Sequence, residues 1–208
     1  DGTSLLTVPN AAIAGVKGHA VFAVVQFEYT TWARDGVTDM YGKLPSPIAI
    51  LTLDQDPATG KLALVKYHNV DTSGGNGLGI TCGASVSPWG THLAREEYEP
   101  DAFAIATNAQ FHAFSKNLYG NETTANAYNY GHLPEVTVNA DGSYSNYSND
   151  GQGNTYSAEY NASGVLLHDS WSHSDGSYGT DTFNPATGEA TGSDTAAPGA
   201  GYVSESWD

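Results

Sequence analysis

The densest apolar patterning lies in the first third of the chain. Residues 20–29 (AVFAVVQFEY) are rich in Val and aromatics and predict a buried strand. Residues 47–53 (PIAILTL) predict a second strand, and 61–67 (KLALVKY), alternating with period two, a third. Between these two runs stands Asp56-Pro57-Ala58-Thr59-Gly60, with Pro at the second turn position and Gly where a left-handed residue is needed. That chemistry predicts a hairpin. Residues 71–79 (DTSGGNGLG) form a glycine loop without the Lys-Ser/Thr of a phosphate cradle or a dinucleotide fingerprint. Residues 80–93 predict a strand, a Ser-Pro turn and a short second strand.

After Pro100 the period changes. Phe103, Phe111, Phe114 and Leu118 are spaced by 8, 3 and 4, as on one face of a helix, with Asp101 as a cap and Gly120 as a stop. Residues 121–134 read as loop and 135–138 (EVTV) as a strand. Beyond 140 the pattern thins. Only Val165, Leu166, Leu167, Phe183 and Val203 are Val, Ile, Leu or Phe, about 7% of 68 residues, well under the roughly 20% at which disorder becomes the default. Aromatics such as Tyr144, Tyr156, Trp171 and Tyr202 alternate there with Ser, Asn, Gly and Asp. Asp141-Gly142-Ser143-Tyr144 recurs as Asp175-Gly176-Ser177-Tyr178, and Asp169-Ser170-Trp171 is echoed by Glu205-Ser206-Trp207. These units predict short strands joined by Asp-Gly type turns. The expected fold is mainly β with one helix: a segment over 1–140 and a Gly/Ser/Tyr/Asp-rich β-hairpin repeat tail over 141–208.

Charge follows the same division. All seven basic residues precede position 117, and the tail carries ten acids and no base; the whole chain is at −16. No Lys/Arg cluster exists to bind a phosphate backbone, so nucleic acid is not an expected partner. No apolar run approaches the ~20 residues of a membrane span. A start at Asp1 without Met matches a processed, secreted chain, periplasmic or extracellular. The single Cys82 excludes an internal disulfide framework.

Most chemical templates are missing. There is no His-Glu-x-x-His, Cys-x-x-Cys, EF-hand loop or haem-attachment motif. His168 and His173, five apart in a polar strand region, read as solvated. Residues 82–101 (CGASVSPWGTHLAREEYEPD) differ, because they join a thiol, a hairpin and a cluster of acids. A thiolate is a soft ligand able to bridge iron, and adjacent carboxylates suit hard cations such as calcium and ferric iron. The plainer readings are a small buried Cys and, for Glu96, Glu97, Glu99 and Asp101, acids favoured by the following helix dipole.

Cys82, five residues, Pro88-Trp89-Gly90-Thr91, Leu93 and Glu96-Glu97 together resemble the PhoX-type alkaline phosphatases. The wording VVQFEY at 24–29, LDQDPATG at 53–60, EEYEPDA at 96–102 and YGHLPEV at 130–136 is similar too, so the resemblance spans about residues 15–143. It implies a secreted β-propeller, here partial, that hydrolyses phosphomonoesters with an iron–calcium cluster. Cys82 would then be an iron-bridging ligand, and Glu96 or Glu97 a calcium ligand. The chain departs from that family in length and in having no Arg or Lys beyond Lys116, so this segment is not expected to be active alone. The alternative is a non-catalytic extracellular subunit whose tail pairs with neighbouring chains in a homo-oligomer or assembly. A third reading, a calcium-stabilised carbohydrate-binding module, rests on the Tyr, Trp, Asn and Asp of the tail.

Overall fold

The computed structural model of the protein describes residues 1–199 and 204–207; Tyr202 and Val203 lie outside the described residues. The chain is mainly β with a single α-helix, built as two antiparallel sheets. The first is a four-stranded meander of β1 (Thr3–Leu6), β2 (His19–Gln26), β3 (Ile48–Gln55) and β4 (Leu62–Val70). The turn between β3 and β4 closes as expected. Asp56 Oδ1 accepts from the amides of Ala58 and Thr59, and Gly60 takes a φ of 70°, a left-handed value that costs glycine nothing. β2 stops at Gln26, three residues before the end of its apolar run, because residues 27 and 28 leave the sheet.

The second sheet has nine strands in sequence order. It begins with β5 (Ile80–Val86), β6 (His92–Glu97), β7 (Glu135–Val138), β8 (Tyr144–Asn149) and β9 (Thr155–Tyr160). It continues through β10 (Leu166–Ser172), β11 (Tyr178–Phe183), β12 (Ala190–Thr195) and β13 (Ser204–Trp207). β7 pairs with β8 in unbroken register across residue 140, so strands of the polar tail extend the sheet of the first segment. Among the described residues no closed barrel or propeller forms.

The two sheets meet face to face. Leu6, Phe22, Val24, Ile48, Ile50 and Val70 of the first pack on Ala94, Val136, Val138, Tyr144, Ala158 and Tyr160 of the second. Burying a side chain such as Phe22 or Ile50 contributes about 1.5–3 kcal/mol, and a dozen of them hold the layers together. The tail's contribution is aromatic. Tyr144 lies between His68 and Tyr160, with ring centroids 4.9 and 4.8 Å apart. From β11 onward the sheet is a single layer in which Gly179 is the one buried residue among those described. Order there comes from ladder pairing and from Trp171, whose indole lies so close over Gly179 that a methyl group on that glycine would sit 2.7 Å away.

The helix, α1, is Ala109–Tyr119, shorter than the pattern of phenylalanines predicts. Asn108 caps it, its Oδ1 accepting from the Phe111 amide, and Gly120 ends it with a φ of 73°. Phe103 is not on the helix and is almost fully exposed. Asp101 binds the Phe103 amide in a local turn, and such short side-chain bonds compete with helix formation. No described helix is long and apolar enough to cross a membrane.

Candidate metal centre

β5 is the edge strand of the nine-stranded sheet, and the chain leaving β2 wraps that edge. Thr81 donates its hydroxyl to the Phe27 carbonyl, Ser46 donates to the Glu28 carbonyl, and Gln26 reaches the Gly83 carbonyl. Glu28 is thereby held beside β5 although 54 positions separate it from Cys82. The register of β5 on β6 is irregular between Thr81 and Ala84. That bulge presents Cys82 on the outward face of the sheet, opposite to the buried Thr81.

β6 sorts its two terminal acids by strand parity. His92, Ala94 and Glu96 point inward and are buried, whereas Glu97 shares the outward face with Cys82. The result is a cluster in which one donor atom each from Glu28, Cys82 and Glu97 lies within 4.8 Å of the others, all three residues half-buried. This is the one such group of His, Cys, Asp or Glu side chains among the described residues.

Burial pushes the Cys82 thiol up, and the carboxylates of Glu97 and Glu28 push it further. The free site therefore holds a protonated thiol, and a cation must displace that proton to bind sulfur. Tyr98, immediately after Glu97, sits in the left-handed region with a φ of 57°, a strained conformation for a non-glycine residue. Tyr29 and Tyr41 pack edge to face at 4.6 Å. Burial raises the Tyr41 hydroxyl, with smaller contributions from Tyr98, Tyr29, Glu28 and Glu97, so these phenols rim the cluster. Tyr41 and Tyr98 also line a cavity of about 280 Å³ whose other walls include Leu44, Phe111, Phe114 and Tyr130.

Glu96 does different work. Its carboxylate accepts from the amides of Gly131 and His132 at 2.9 and 2.8 Å, and from the Gly79 amide. Burial raises its carboxyl, while these amides and the neighbouring His132 pull it back. All its nearby donors are backbone groups, so it braces the loops before β5 and β7 and stands apart from the thiol. Of the residues singled out in sequence, Cys82 and Glu97 come together, Glu96 does not join them, and Glu28 enters unforeseen. The signal available for Glu28 was its place at the end of a strand in the VVQFEY segment, which carries no partner information.

His168 and His173 are not ligands of this cluster; His173 bonds Ser177 and packs its ring 4.8 Å from Trp171. No protein-family model, no curated protein and no solved structure matches the chain.

Proposed function

We propose that the chain is a metal-binding segment of a secreted, PhoX-like phosphomonoesterase, in which Glu28, Cys82 and Glu97 hold one cation. The observation that carries this reading is the convergence of a thiol and two carboxylates from three separate segments onto one spot. A mixed sulfur and oxygen donor set suits iron; calcium alone would favour oxygen donors throughout. Three donors suit a single ion. The iron–calcium cluster that the resemblance implies needs more ligands than this cluster has, and a phosphoryl transition state also needs positive charge around it. Arg95, on the outward face of β6 two residues from Glu97, forms no ion pair among the described residues, and a lone Arg is a weak clamp. The segment alone therefore binds metal without turning over phosphate esters. The aromatic cavity beside Tyr41 and Tyr98 would seat the organic part of an ester once further chain completes the centre.

The four-stranded sheet supports the partial-propeller reading. A blade of a propeller is a four-stranded antiparallel meander covered on both faces by its neighbours. The face of this sheet turned from the core carries Leu51 and Leu53 together with exposed Leu5, Leu62, Leu64 and Tyr67. The same exposed face favours the second reading, a structural subunit that covers it with another copy of the chain.

Elemental analysis of protein purified with iron and calcium present tests the first reading. About one equivalent of metal per chain is expected, with no hydrolysis of p-nitrophenyl phosphate. Metal-free protein after such loading would overturn it.

A further inference from the structure

We infer that the chain carries a second site, sharing no residue with the thiol–carboxylate cluster, that binds a neutral sugar. A cavity of about 470 Å³ opens between β9, β10 and the glycine loop after β4, within the roughly 300–1,000 Å³ of small-ligand sites. Tyr156 and Trp171 stand directly opposite each other across the β9–β10 pair and both line it. Gly74 closes one wall so tightly that a side chain there would run into the Tyr156 hydroxyl. Gly179 beneath the indole and His173 beside it fix Trp171 in place.

The polar lining is equally fixed. Asp150 Oδ1 accepts from the amides of Gln152 and Asn154, and Asn154 Oδ1 accepts from the Ser174 amide at 2.8 Å. Asp169 lines the cavity beside the Tyr156 hydroxyl, with Asp181 as its neighbour across the β10–β11 pair.

Chemistry narrows the ligand. No Lys or Arg lines the cavity, and Asp150 and Asp169 repel phosphates and carboxylates. The walls are too polar for an acyl chain. The acids and histidines of the cavity do not converge tightly enough to form a cation site, since the one such group among the described residues is elsewhere. What fits is a neutral ring with one apolar face and a rim of hydroxyls, which is a pyranose. Its C–H face stacks on Trp171, and its hydroxyls bond the accessible polar atoms of the lining, the Asp169 carboxylate among them.

Affinity electrophoresis and calorimetry against soluble mannan, xylan, mixed-linkage β-glucan, galactan and chitin oligomers test this. At least one is expected to bind the wild type. Trp171→Ala should weaken that binding by about tenfold or more, as a central aromatic anchor does, and the isosteric Asp169→Asn should also weaken it. Trp207→Ala, outside the cavity, should bind within about twofold of wild type. Cys82→Ser should retain sugar binding, which separates this site from the metal reading. Circular dichroism of each variant excludes unfolding, and Asp169→Asn decides the matter if Trp171→Ala does not fold. No retention by any glycan would overturn the proposal, as would binding that survives both cavity substitutions or is lost equally in Trp207→Ala.

Discussion

Glu96 and Glu97 are adjacent, chemically identical and committed to opposite tasks. Strand parity alone separates them, and it was hidden in the sequence. In HLAREE the apolar Leu93 invites an inward assignment, yet His92, Ala94 and Glu96 are the buried set and Leu93 lies on the outward face with Glu97. The sequence therefore identified the acidic pair without saying which member meets the thiol. Three charge-assisted bonds to backbone amides make Glu96 a stability residue. Glu96→Ala should lower unfolding free energy by about 3 kcal/mol, through loss of those three bonds to part-buried amides, with metal stoichiometry kept in the folded fraction. Glu97→Gln should do the reverse, changing stability little and weakening metal. Denaturant titration paired with elemental analysis checks both, and metal loss in Glu96→Ala with none in Glu97→Gln would reverse the assignment.

Between elements, the bond that ties the sheets most specifically is His92 on β6 to Ser4 on β1, at 2.8 Å. Burial without a charged partner lowers the His92 imidazole to about 4, and His68, half-buried against Tyr144, is lowered too, by burial and by Lys66. A histidine whose folded value lies below its unfolded value of about 6.5 stays neutral while the unfolded chain takes up a proton. Its contribution is complete above pH 6.5 and is lost as pH falls toward 4. The His92 contribution, read in urea unfolding as wild type minus His92→Gln, should be about 2.5 kcal/mol smaller at pH 4.5 than at 7.5, while the raised Glu96 carboxyl works in the opposite direction; an equal difference at both pH values would contradict it. Strands β2 to β4 and their turn were legible because burial and turn chemistry agreed there. The helix start was not. Spacing alone put Phe103 on it, while the decisive signals were the Asx turn at Asp101 and the cap at Asn108. Glu28 was equally invisible, because nothing local records that the end of β2 folds round the edge of β5.

For the molecule as a whole, the composition break at 140 is real in charge and apolar content, but the nine-stranded sheet runs through it. Tyrosines take over the core positions that Val and Ile fill earlier, with Tyr144 and Tyr160 buried among aliphatic side chains. That substitution is why a count of Val, Ile, Leu and Phe underestimates what the tail buries. The apolar outer face of the four-stranded sheet makes the oligomeric state informative: light scattering at micromolar concentration should find a dimer or larger if a second copy covers it. A monomer would remove the assembly reading and leave the face for further chain.

The claim on which the functional account stands is that Glu28, Cys82 and Glu97 act together on one cation. Cobalt(II) titration followed by the sulfur-to-cobalt charge-transfer band measures it directly, since that band requires a metal–thiolate bond. One equivalent should bind, with affinity rising about tenfold per pH unit while the thiol remains protonated, and the band should be lost in Cys82→Ser and markedly weakened in Glu28→Gln and Glu97→Gln. A wild-type protein that shows no band at saturating cobalt, or a band untouched by both carboxylate substitutions, would contradict it.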